Sequence, residues 1–241
     1  LGLVLHGIVL VALITHASLS LGRLQGGFLL ALAFGSLIRL LSLSTPLPHF
    51  PKVYWYMVIG APLMLAAFVA ARVSRLDRGM IGLRASWRGL PVQMLVGASG
   101  LGLGLLEYLI LRPEPLAARL SLDEIWLPAL ILMVFTGFLE EYIFRGLMQY
   151  TAARWLGRFG LLYVAVVFAV LHIGYRSALD VIFVFAVAVF FGWVVARTGS
   201  LLGATLAHGL TNITLFLVFP FLAAHLLPGF GGVRLPQTVT P

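Results

Sequence analysis

The sequence contains no cysteine, which excludes a disulfide framework, thiolate metal sites and a cysteine nucleophile together. Charge is scarce as well. Only 10% of the 241 residues are Asp, Glu, Lys or Arg, against about a quarter in soluble domains. Acids are the rarer sign, eight against sixteen Lys plus Arg, and the sole lysine is Lys52. What is abundant is apolar: 61% of residues are hydrophobic and the mean hydropathy is +1.06. So few polar side chains cannot cover a soluble surface, and the composition predicts an all-α, polytopic integral membrane protein. The net charge of +8 does not point to nucleic acid, because no soluble stretch carries the aromatic and basic platform such binding needs. The arginines concentrate between apolar runs, as expected beside anionic lipid.

Crossing about 30 Å of hydrocarbon takes roughly 20 mostly apolar residues. On that rule the sequence predicts about eight transmembrane helices, at 2–21, 26–44, 53–72, 92–111, 126–149, 160–174, 178–196 and 200–222. Residues 1–21 are too long and too evenly apolar for a signal peptide and are read as a span. The sixth span is short, so a tilted, buried or re-entrant course is expected. Breakers such as "STPLPHFPK" (44–52) and "RPEPLAARLSLDE" (112–124) separate the runs. The chain divides into N-terminal helices without assigned function (1–120), a core that carries the polar residues (121–225) and a loose tail (226–241). Glycines in "GASGLGLG" (97–104), and Gly199 with Gly203, are read as close helix packing.

Arginine and lysine counts in alternate loops predict orientation. Arg23, Arg72, Arg75, Arg78, Arg84, Arg88, Arg154, Arg158 and Arg197 fall on one side, and Lys52, Arg112, Arg119, Arg176 and Arg234 on the other. The first set is denser and is expected in the cytoplasm, with the cavity of the core open to that side. The glycine- and arginine-rich, lysine-poor composition points to a prokaryotic plasma membrane.

The informative residues are polar ones at hydrocarbon depth, where each ionisable group costs at least about 2.5 kcal/mol on insertion scales. "FLEEYIFRG" (138–146) places Glu141 and Arg145 four apart on one helical face, with the acid first, the favourable order for an ion pair. Glu140, about 100° around the helix on the stripe with Phe144, has no partner there. "FAVLH" aligns Phe168 with His172, and "HGLTN" aligns His208 with Asn212. Counted from one common side at 1.5 Å per residue, these groups lie roughly 12 to 24 Å deep, so three helices can bring them into one layer. His6, His16, His49 and His225 lie near termini or loops, and Glu107, close to a span end, is read as interfacial and outside the site. Ser99, in a GxSG string, is the rival nucleophile, but no base is near it in sequence.

The motifs "EEYIFRG", "FAVLH" and "HGLTN", in this order, resemble those of the CAAX-protease and bacteriocin-processing family of glutamate-dependent intramembrane proteases, which includes type II CAAX prenyl endopeptidases. The likeness spans about residues 125–222. It implies catalytic residues Glu140 and His172 activating water and His208 and Asn212 binding the oxyanion, with Glu141, Arg145 and Phe168 in support. It further implies a membrane-associated peptide or lipidated protein as substrate. No cofactor is expected. A zinc site of Glu140, His172 and His208 is the alternative ligand set, although the HExxH pattern is lacking. A non-catalytic immunity, scaffold or transport protein would use the same polar layer for binding.

Overall fold

The computed structural model describes residues 1–20, 22–46, 49–84 and 86–226. The tail expected from 226 onward lies, from 227, outside the described residues, as do Arg234 and the side chain of His225. The described chain is helical: α1 (Gly2–Leu19), α2 (Leu24–Ser44), α3 (Lys52–Val73), α4 (Leu90–Leu111), α5 (Leu122–Leu132), α6 (Leu139–Glu141), α7 (Tyr150–Leu156), α8 (Gly160–Leu171), α9 (Ala178–Thr198), α10 (Leu202–Ile213) and α11 (Phe219–Leu226). Among the described residues, the nearest approach to a strand is an isolated bridge between Leu83 and Ser200.

Among the described residues, seven helical segments are long and apolar enough to cross a membrane, where the sequence predicts about eight. The difference lies in Leu122–Tyr175, 54 residues of consecutive α-, π- and 3-10-helical turns. Fully straight, it would reach about 80 Å, far beyond one bilayer. It turns back at Gly157, whose φ of 58° and ψ of −135° suit glycine and almost no other residue. After the turn, Gly160 packs directly on the α7 backbone at Ala152 and Ala153. The segment therefore contains both the fifth and the sixth predicted spans.

Polarity is inverted relative to a soluble fold. Large apolar side chains such as Val11, Leu65, Leu95 and Ile182 are exposed, whereas Gln93, Glu141, Arg145, Gln149, Asp180 and His208 are buried. Lipid takes the place of a hydrophobic core as the apolar solvent, so association depends on close packing and internal hydrogen bonds. The α4–α10 pair uses both. A Cβ on Gly100 would overlap the Ala207 backbone, one on Gly104 the Thr214 side chain, and one on Gly203 the Gln93 side chain. Gln93 Oε1 in turn accepts from the Gly203 amide at 2.7 Å. Gly199 departs from its predicted packing role: with φ of 68° it ends α9 in a left-handed cap.

The arginine-rich loop after α3 is folded rather than loose. The Asp77 carboxylate accepts from the amides of Gly79 (2.7 Å) and Met80 (3.0 Å), which hold its pKa below the usual carboxylate range. The Leu201 amide donates to Gly82 at 2.9 Å and pins the loop to the start of α10.

Candidate active site

The site is assembled where the chain segment around α6 meets α10. A π-helical turn, Met133–Phe138, precedes α6, and a second, Tyr142–Gln149, follows it. Such turns are uncommon and tend to occur where side chains must be re-aimed. Gly137, in the first, packs so closely that a Cβ would overlap Thr205 and Gly209 of α10. That contact of two backbones sets Glu140 and Glu141 beside His208.

The adjacent carboxylates occupy different surroundings. The Glu141 side chain is 0% exposed and that of Glu140 is 29% exposed. Arg145 Nη1 donates to Glu141 Oε1 at 3.0 Å, the pairing that the i, i+4 spacing predicts. His208 Nδ1 donates to the same oxygen at 2.8 Å, a tertiary partner that no spacing indicates. Arg145 is enclosed on its other sides: Nη2 reaches the Ala188 carbonyl at 3.4 Å, and the guanidinium lies 4.5 Å from the Phe168 ring centroid. Phe168 also neighbours the rings of His172 (4.7 Å) and His208 (5.9 Å). One aromatic plate thus contacts a cation and both imidazoles.

Glu140 Oε2 lies 3.9 Å from His208 Nε2, beyond hydrogen-bond length. Glu140 lines a cavity of about 670 Å³ together with Phe144, Phe168, His172, Tyr56 and Tyr175. His172 Nδ1 is 2.9 Å from the Phe168 carbonyl. A carbonyl only accepts, so Nδ1 carries the hydrogen and Nε2 is the acceptor of the neutral ring. A second, small cavity of about 30 Å³ is bounded by Phe168, His172, His208, Thr211, Asn212 and Glu107. That is enough space to admit a water. Phe168 and His172 border both spaces.

All the predicted site residues therefore converge, but not as one ring. Glu140 and His172 face the large cavity, His208 and Asn212 the small one, and Glu141 is sealed behind them. Among the described residues, no three His, Cys, Asp or Glu side chains form a group able to hold a metal ion. The zinc set of Glu140, His172 and His208 is not gathered in ligand geometry.

Two predictions need correction. Glu107 is not interfacial: it is 7% exposed and forms part of the small cavity's wall. It follows Gly97, Gly100 and Gly104 along the α4 face that packs on α10, and that packing carries it to the level of Thr211 and Asn212. Nor does the large cavity reach the arginine-rich end of the bundle. Its outer wall contains Lys52 and Trp55 at the start of α3, Pro113 and Glu114 after α4, and Tyr175 after α8, all at the opposite end. Ser99 is no rival nucleophile in this setting. Its hydroxyl donates to Val96 at 2.6 Å, and the groove it borders contains no acid or histidine.

Asp180, in the first turn of α9, is fully buried, and neither carboxylate oxygen has a hydrogen-bond partner among the described residues. The helix N-terminus gives it partial compensation.

Compared with known protein families, residues 122–214 match the type II CAAX prenyl endopeptidase Rce1-like family. No curated protein and no solved structure matches the chain. The matched span contains all three motifs, from the paired glutamates before Arg145 to His208 and Asn212. The likeness to the Rce1-like family covers residues 122–214 of the 241.

Proposed function

We propose that the chain hydrolyses a peptide bond near the C-terminus of a membrane-associated peptide or lipidated protein, with Glu140 and His172 activating a water. The observation that carries this reading is that Glu140 and His172 line one cavity and the ring of His172 is held with Nε2 as its acceptor nitrogen. Water oxygen attacks the carbonyl carbon while its proton passes to the carboxylate or imidazole. The C–N bond then breaks, and the same proton goes to the leaving amine.

His208 and Asn212 are the donors for the oxygen that becomes negative. With Nδ1–H given to Glu141, His208 donates from Nε2 only as imidazolium. In that form the cluster of Glu140, Glu141, Arg145 and His208 sums to zero charge, which suits a buried setting. Asn212 has no hydrogen-bond partner among the described residues and borders the small cavity, which shares Phe168 and His172 with the large one, so its amide donors are left unused by the protein. Asn212→Ala is expected to lower turnover by about 10²–10³-fold, with KM little changed. Steady-state cleavage of a fluorogenic peptide measures both, and unchanged turnover removes Asn212 from the assignment.

The reading as a whole is tested with purified protein and a set of prenylated, acylated and unlipidated peptides, assayed with and without a chelator. Cleavage that survives chelation and requires a lipid anchor is expected. Loss of activity on chelation, restored by zinc, would transfer the chemistry to a metal.

A further inference from the structure

We propose that Arg39 binds the terminal carboxylate of the substrate and so sets which end of the peptide lies against Glu140. The proposal rests on the peptidase reading and specifies its substrate: a peptide with a free C-terminal carboxylate.

Arg39 lies five residues before the end of α2, inside a span, and lines the same large cavity as Glu140 and His172. Its Nη2 donates to the Leu171 carbonyl at the end of α8. This bond has a structural purpose, because α8 is only 12 residues long and its last carbonyls need donors within the lipid slab. A guanidinium has five N–H donors in a planar fork, so one bond leaves most of them unused.

Its charge is also uncompensated. Arg145 is paired with Glu141, Lys52 with Glu114 and Arg119 with Glu124, whereas among the described residues no carboxylate pairs with Arg39. Lys52, the other cation of that cavity, is already held by Glu114, so Arg39 is the cation left to select for an anion, and a guanidinium matches a carboxylate with two parallel hydrogen bonds. Glu140, the other charged group deep in that cavity, repels a carboxylate. The anionic end of a substrate therefore belongs at Arg39, and an uncharged peptide bond upstream of it faces Glu140 and His172. Ile38, Ile59, Leu63 and Leu171 supply apolar wall in the same cavity, suited to aliphatic residues near the substrate's end.

The test uses the Glu140→Gln protein, so that ligand is not consumed, in nanodiscs of zwitterionic phosphatidylcholine. The probe is a fluorescent prenylated C-a-a-X peptide, prepared with a C-terminal carboxylate or a C-terminal amide. The acid is expected to bind about tenfold to a hundredfold more tightly than the amide, and Arg39→Gln to bring the ratio near one. Arg39→Lys should retain part of the preference, since charge remains but the fork is lost. Equal binding of acid and amide by the Glu140→Gln protein with Arg39 intact overturns the proposal without any Arg39 variant having to fold. A preference that survives Arg39→Gln overturns it too. So does loss of peptide binding on adding phosphatidylglycerol with no acid preference, which would make Arg39 a lipid phosphate site. Cleavage of the same acid by the unmodified protein judges the peptidase reading separately.

Discussion

Replacing Glu140 by Gln is expected to reduce peptide hydrolysis by about 10²–10⁴-fold, the usual contribution of a positioned general base, while leaving the protein folded. Both expectations come from the same geometry. The Glu140 side chain is 29% exposed, lines the cavity, and makes no hydrogen bond among the described residues, its approach to His208 being 3.9 Å. The amide keeps the shape of the carboxylate but cannot take a proton from water. Turnover of the purified variant, with thermal unfolding in detergent as a control for folding, measures the two effects. A folded Glu140→Gln protein that cleaves at the normal rate would leave the cavity as a binding site, in favour of the immunity, scaffold or transport reading.

The opposite signature is expected one cation away. Arg145→Met should destabilise the protein by about 3–5 kcal/mol, the cost of leaving a buried charge without its partner. Glu141 is fully buried and its Oε2 already lacks a hydrogen-bond partner among the described residues. Once the guanidinium is gone, the His208 bond of 2.8 Å is its remaining support. The loss also opens space against Phe168, over which the guanidinium lies. Adding Glu141→Gln to Arg145→Met should recover part of the stability, because the orphaned charge is then removed. A double-mutant cycle in denaturant measures this coupling. Additive effects of the two substitutions would show that the pair does not hold the bundle together.

Much of this site was legible because helices convert spacing into direction. Residues four apart share a face, so Glu141 with Arg145, Phe168 with His172, and His208 with Asn212 are readable from sequence, and two of the three pairs make direct contact here. Separating the partnered Glu141 from the solvent-facing Glu140 followed from the same periodicity. It survives even though π-helical turns flank the two residues.

What escaped was tertiary. The bond from His208 to Glu141 joins residues 67 positions apart and depends on the Gly137–Gly209 approach, which no local pattern encodes. Glu107 was misjudged because its depth was measured along its own helix, whereas the face it shares with three packing glycines decided its neighbours. Arg39 left its signal in plain view as a lone cation within an apolar run. Counting charges between spans passes over a charge inside one. The consecutive helical turns of Leu122–Tyr175, reversing at Gly157, merged two crossings into one segment, a feature that composition cannot distinguish from a short loop.

The large cavity and the arginine-rich loop occupy opposite ends of the bundle, and this decides which leaflet delivers the substrate. If the loop containing Arg72 to Arg88 is retained in the cytoplasm by its charge, the lipid-anchored peptides proposed as substrates would enter from the outer leaflet, past Lys52 and Tyr175. A chain without native cysteines makes the sidedness directly readable. Lys52→Cys should react with a membrane-impermeant maleimide added to intact cells, and Trp87→Cys, 89% exposed at the other end, only after lysis. The reverse labelling pattern would bring the substrate from the inner leaflet, with an arginine-rich surface displayed to the exterior.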